Sequence, residues 1–207
     1  MFLESFFHIL QHRFPMNPLL PSFPGDDEGR WKVLTSEYLF QRPWMTVRRQ
    51  RMLLPNGQEH PEYYILEYPT WVNIIALTPD DKMLLVRQYR PALDVTRYEL
   101  CAGVMDDTDA SPMEAARREL LEETGYGGGE WSQLMVVGPN ASAMTNVSVS
   151  FIAHGVTKVS CQHLENTEDI SVHLFTRKEV YDMLLAGQFA QALMVAPLWR
   201  YFAEHPL

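Results

Sequence analysis

Three glutamates stand at a spacing that can do chemistry. Glu119, Glu122 and Glu123 fall within Arg118-Glu119-Leu120-Leu121-Glu122-Glu123-Thr124-Gly125. On a helix, positions i, i+3 and i+4 share one face within a single turn. Like charges four residues apart cost a few tenths of a kcal/mol on an isolated helix. In the last turn the helix dipole disfavours each anion by roughly 0.3–1 kcal/mol. Arg118 offsets part of this through Glu122, four residues on. The plain alternative is a solvated acidic helix end. Two features point past it. The charges crowd the wrong end of an otherwise well-formed helix, and a loop rich in Gly and Asp precedes it. A hard divalent cation relieves the repulsion, and carboxylate oxygens suit Mg²⁺ or Mn²⁺.

These side chains need a helix, and the residues before them supply its start. Ser111 is a natural N-cap, Pro112 suits the first helical position, and Glu114 stands at capping-box spacing. Thr124-Gly125 ends the helix, with Gly able to take the left-handed conformation. Upstream, Trp71–Leu77 reads as a buried strand. A Pro79-Asp80-Asp81 turn follows, then a strand from Lys82 to Arg90. Arg87, Arg90 and Glu99 lie on strands running toward the helix, where cations bind phosphate by bidentate contacts. For Arg87 the structural alternative is a pair with Glu99 or a helix glutamate. Downstream, strands are expected at Leu134–Val137, Ser148–Ala153 and Ile170–Phe175. A helix runs from Thr176 to Leu185, stopped by Gly187, and a last helix spans about 189–202. This order predicts an α+β fold, a mixed β-sheet sandwiched between helices, rather than a doubly wound parallel sheet.

Residues 31–68 read as two or three short strands around the turn Pro55-Asn56-Gly57. They form a small N-terminal antiparallel β lobe. Residues 1–30 read as an extension: an amphipathic stretch from Phe2 to Phe14, a Pro-rich link, then an acidic turn. Residues 69–207 make the main domain.

The run Gly103-Val-Met-Asp-Asp-Thr-Asp-Ala-Ser-Pro-Met-Glu-Ala-Ala-Arg-Arg-Glu-Leu-Leu-Glu-Glu-Thr-Gly-Tyr126 closely resembles the Nudix box, the loop–helix signature of pyrophosphohydrolases. Asp109 stands where that family usually has Glu, at a position that orders the loop. Val86-Arg-Gln-Tyr-Arg90, Glu99-Leu-Cys-Ala-Gly103 and Glu165-Asn-Thr-Glu-Asp-Ile170 resemble the ADP-ribose pyrophosphatase branch, in which Pro commonly occupies the place of Cys101. The resemblance implies a Nudix fold and a metal site made by Glu119, Glu123, the Ala102 carbonyl and Glu168. It further implies Glu165 as general base, with Glu122 and Arg118 beside it; Glu165 and Glu168 can exchange roles. Arg87, Arg90 and Glu99 are expected at the substrate.

The branch pairs its N-terminal lobes across a two-fold axis, so a homodimer is expected. The lobe's many aromatics agree, since two or three strands bury little surface alone. Arg49 and Arg51 share one face of an extended strand and, in such a dimer, are placed to reach the neighbour's anionic substrate. Trp44, Tyr68 and Trp71 are candidates to stack a base, with core packing as the alternative.

The expected reaction is hydrolysis of a nucleoside diphosphate sugar, ADP-ribose first, with UDP-glucose or GDP-mannose as alternatives. A non-catalytic nucleotide-sugar sensor is the other class. Such domains usually lose box carboxylates, and all three are present here. The balance of 17 Lys+Arg against 26 Asp+Glu gives −9, which argues against nucleic acid as a partner. No apolar run approaches the roughly 18 residues of a membrane span. The start, Met1 to Leu10, lacks a basic region and a cleavage site, so a cytoplasmic protein is expected. Two cysteines, Cys101 and Cys161, are too few for a disulfide framework and are read as reduced, partly buried thiols.

Overall fold

The computed structural model describes residues 17–207; the amphipathic stretch Phe2–Phe14 lies outside them. Two compact units form. Among the described residues, one comprises 17–68 together with 140–145; the other comprises 69–139 and 146–207.

In the first unit, β1 (Lys32–Arg42), β2 (Met45–Leu53) and β3 (Glu59–Glu67) make an antiparallel sheet in that order. Alternation along β2 turns Arg48 and Gln50 inward, both 3% exposed, and leaves Arg49 and Arg51 outward. The expected boundary placed 140–145 with the main domain, but this segment joins the lobe. The Leu66 amide donates to the Ala143 carbonyl at 2.7 Å, the Thr145 amide to the Leu66 carbonyl at 3.1 Å, and Met144 bridges to Leu66 in parallel. An otherwise open strand edge needs partners for its amides and carbonyls.

The second unit carries β4 (Trp71–Leu77), β5 (Lys82–Arg90), β6 (Val95–Glu99), β7 (Cys101–Val104), α1 (Pro112–Thr124), β8 (Tyr126–Gly127), β9 (Glu130–Val137), β10 (Ser148–His154), β11 (Thr157–Lys158), β12 (Ser171–Thr176), α2 (Arg177–Leu185) and α3 (Ala192–Glu204). The main sheet runs β12-β5-β4-β10-β9, with β6 beside β5 and β7 beside β4. It is mixed: β4 and β10 are parallel, and the other pairs antiparallel. β4 is apolar almost throughout because it is buried on both sides. Helices α2 and α3 cover Ile75, Leu77, Met83 and Leu85 with Val180, Leu184, Leu198 and Tyr201, while α1 packs on β7 and β4.

Two expectations shift. β9 begins at Glu130 rather than Leu134, because Glu130, Ser132 and Gln133 lie exposed and give no apolar alternation. The last helix begins at Ala192, since Phe189 enters the core ahead of it. It then continues through Pro197. That proline has no N–H for the Leu193 carbonyl four residues back. Asn73 Nδ2, which also donates to Ser148 Oγ, supplies a hydrogen bond to that carbonyl at 3.3 Å. Among the described residues no helix is long and apolar enough to cross a membrane.

Candidate active site

The geometry of the site starts from a match of two repeats. Four residues of helix rise about 6 Å, and two residues of strand about 6.6 Å. Glu119 and Glu123 on α1 therefore meet alternate amides of β7. Glu123 Oε2 accepts from the Ala102 amide and Glu119 Oε1 from the Val104 amide, each at 3.2 Å. Among the described residues β7 pairs with β4 alone, so these amides lie on an edge that would otherwise lack acceptors. Between them sits Gly103, where a Cβ would overlap the Glu119 carboxylate. Only glycine permits that approach.

Arg118 is the hub of the loop. Its Nε and Nη2 grip Asp109 at 3.1 and 2.9 Å, Nη2 also donates to the Val104 carbonyl at 2.8 Å, and Nη1 donates to Glu119 and Glu122 at 3.0 and 2.9 Å. All five guanidinium N–H donors are thus engaged. Placed among the candidate catalytic residues, Arg118 here positions carboxylates. Asp109 also accepts from the Asp106 amide at 2.8 Å, tying the loop to itself; Arg118 holds its carboxyl below the usual range.

The carboxylates are not alike. Glu123 is 4% exposed. Burial, then the charges of Glu119 and Glu168, push its carboxyl up to about 7, against the pull of the Cys101 thiol and the Ala102 amide. Glu119 is also raised by burial, with Arg118 opposing. Cys101 is fully buried and its thiol is pushed up, first by burial and then by Glu123. The thiol is therefore protonated and donates to Glu123. Cys161 is exposed, and both cysteines are free; neither is the partly buried thiol expected.

Facing this cluster is Arg90. Its Nε and Nη2 hold both oxygens of Glu99 at 3.0 and 2.5 Å, and the Glu123 charge acts on it. Glu99 is fully buried, and Gln191 Nε2 donates to both its oxygens at 3.2 and 3.4 Å. Glu99 thus fixes Arg90. Arg87 does not pair with Glu99. It stands exposed on β5, its guanidinium 5.9 Å from the centre of the Tyr98 ring.

Glu165 and Glu168 lie on the exposed loop before β12. Glu168 Oε2 accepts from the Glu165 amide at 2.9 Å, and the Glu168 amide donates to the Glu165 carbonyl at 3.0 Å. Within the lobe, Arg49 is held by Glu37 and Glu62, and Arg51 stands 3.7 Å from Glu59. Trp44, at the turn between β1 and β2, is 72% exposed and so is not core; Tyr68 and Trp71 are half-buried.

A Nudix domain profile matches residues 67–196, and the profile of a nucleoside diphosphate sugar hydrolase N-terminal domain matches residues 31–66. The chain belongs to the Nudix family. Its relatives include the ADP-ribose pyrophosphatase of Mycobacterium tuberculosis (strain ATCC 25618 / H37Rv), 26% identical over 82% of each chain. A methanol dehydrogenase activator of Bacillus methanolicus is 27% identical, over 77% of this chain and 92% of that one. The mouse ADP-sugar pyrophosphatase is 39% identical, over 61% and 63%. A solved ADP compounds hydrolase superposes with a TM-score of 0.74, covering 86% of this chain and 97% of its own, at 22% identity; that likeness concerns the fold.

Nudix hydrolases work with a divalent metal. Among the described residues no three His, Cys, Asp or Glu side chains converge on one point as they stand, since Arg118 and the β7 amides hold the carboxylates. The donor chemistry nevertheless fits a hard cation. Glu119 makes its contacts through Oε1 alone, leaving Oε2, and Glu123 carries a desolvated charge in need of compensation.

Three contributors escaped the sequence reading. Gln191 acts 92 residues from Glu99. Lys158 Nζ donates to the Thr124 carbonyl at 2.7 Å, and Gln162 Nε2 to the Glu123 carbonyl at 2.7 Å. No local motif marks them; for Lys158 and Gln162 only the unsatisfied carbonyls of the helix end called for such partners.

Proposed function

We propose that this Nudix hydrolase cleaves ADP-ribose with water to AMP and ribose 5-phosphate, using Mg²⁺ or Mn²⁺. The observation that carries the reading is the desolvated Glu123 carboxylate beside Glu119 and Glu168, with Arg90 locked by Glu99 within reach of its charge. The names of the relatives support the substrate class. Glu119, Glu123, Glu168 and the Ala102 carbonyl would hold the cation. When bound, it would neutralise pyrophosphate oxygens and lower the pKa of water. Arg90 binds a phosphate oxygen with the guanidinium edge that Glu99 leaves open, and Arg87 offers a second cation. Glu165 takes the proton from the attacking water, with Glu122 as the neighbouring carboxylate. Arg118 keeps Glu119 and Glu122 in place.

The proposal includes a homodimer through residues 31–68, supported by the exposed Tyr38, Phe40, Trp44 and Tyr64. In that dimer Arg49 and Arg51 reach a neighbour's substrate only by leaving Glu37, Glu62 and Glu59. We also place the protein in the cytoplasm, which suits two free thiols.

A phosphatase-coupled assay tests the substrate. Phosphate release is compared for ADP-ribose, UDP-glucose, GDP-mannose and diadenosine polyphosphates with Mg²⁺ or Mn²⁺. The highest kcat/KM is expected for ADP-ribose. A preference for GDP-mannose, as in the name of a Salmonella relative 30% identical over 51% of this chain, would move the assignment; hydrolysis of none would refute it.

A further inference from the structure

We infer that Gln162 is a positioning residue that pins the acidic loop to the end of the box helix and so sets Glu168 against Glu123. This rests on the hydrolase reading and extends it to a residue outside the box. The loop leaves β11, passes Gln162, carries Glu165 and Glu168, and returns at Ile170, which is buried just before β12. Its two ends meet on one side chain. Gln162 Nε2 donates to the Glu123 carbonyl at 2.7 Å and to the Ile170 carbonyl at 3.1 Å. Both acceptors are carbonyls, so the amide can only present its NH₂ group to them. Beside it, the His163 amide donates to the Glu122 carbonyl at 2.8 Å.

The same backbone that carries the Glu122 and Glu123 side chains is thus held from behind by the loop whose charge acts on Glu123. Between 163 and 169 the loop is tied to itself by the Glu165–Glu168 turn, and most of its residues are exposed. The position of Glu168 therefore depends on the base of the loop rather than on packing along it. Removing the Gln162 amide leaves two carbonyls without this donor and frees the loop to swing from the helix. Arg90 and Glu99 stay untouched. The expected signature is a loss in turnover and in metal activation, with substrate affinity preserved.

Gln162→Met keeps the length and removes both donors; Gln162→Ala is the second variant should methionine disturb the fold. Two measurements are made on the full chain. The first is amide hydrogen exchange without metal. Residues 163–169 should exchange at least about tenfold faster, while amides of 116–120 stay unchanged as the control of folding. Unchanged exchange in the loop would overturn the pin whatever the protein hydrolyses. The second is kinetics with ADP-ribose in a cycle with Glu168→Gln. Gln162→Met alone should lower kcat about tenfold or more with KM within twofold, and should have little further effect once Glu168 is Gln. Multiplicative losses would overturn the positioning role. If the wild-type chain hydrolyses no pyrophosphate, the proposed function fails, and the exchange result still decides whether Gln162 pins the loop.

Discussion

The two ends of α1 are held by different means. At its N-terminus the chain solves its own problem: Ser111 Oγ accepts from the Glu114 amide at 3.3 Å, and Pro112 begins the helix. The capping box is only half made, because Glu114 turns its carboxylate to Arg117 at 3.1 Å. At the C-terminus three carboxylates crowd the end where the dipole disfavours them, and the remedy comes from more than thirty residues away. Gly125 caps in the left-handed conformation and donates to Leu121. Its carbonyl accepts from the amides of Val159 and Ser160, while Lys158, Gln162 and His163 take the carbonyls of Thr124, Glu123 and Glu122. A Cβ on Gly125 would strike the Ser160 carbonyl. The end that carries the proposed metal ligands is the end whose stability is supplied from outside. Local repulsion is tolerated there because the fold holds it.

The largest way to break that contrast is at Glu123. Glu123→Gln should lower turnover at least about 100-fold, near 2.7 kcal/mol of barrier, with the fold intact. The same change should sharpen the stability account. The Glu123 carboxyl stands at about 7 in the folded chain, against an ordinary 4.5. Between those values the folded chain holds a proton that the unfolded chain has released. Metal-free stability should therefore fall as pH rises from 4.5 through 7, by on the order of 3 kcal/mol. Glu123→Gln should flatten that fall and, at pH 8 without metal, melt at an equal or higher temperature. Denaturant titrations at pH 5, 6, 7 and 8 measure both.

A smaller effect is expected at the distant support. Lys158→Met removes a hydrogen bond and a cation from the helix end, for a loss of about 1–2 kcal/mol, read by urea unfolding. Ser111→Ala, at the self-sufficient end, should cost about 1 kcal/mol or less and leave kcat within twofold. An equal loss of kcat in the Ser111 variant would erase the distinction between the two ends.

What was legible in the sequence follows the same division. The box, the Ser111 cap, the strands 71–77 and 82–90 and the α+β order all rest on contacts close in sequence or on hydrophobic pattern, and these are readable. The partner of Arg90 is another matter. Its pairing with Glu99 depends on the register of β5 with β6, and Gln191 arrives from the turn before α3. Lys158 and Gln162 belong to a polar stretch with no periodicity. Segment 140–145 reads as a plain loop, yet it pairs with the edge of β3. In each case the information lies in an unsatisfied group on one element and a donor on another, which only the fold brings together.

The most direct test of the central claim is product analysis during metal removal. ADP-ribose is incubated with the full chain in Mg²⁺, then in excess chelator, then with Mg²⁺ restored, and products are separated by ion-exchange chromatography. The account predicts AMP and ribose 5-phosphate in a one-to-one ratio, cessation of turnover on chelation, and recovery when metal returns. Turnover that persists in chelator, or free adenine in place of AMP, would contradict it.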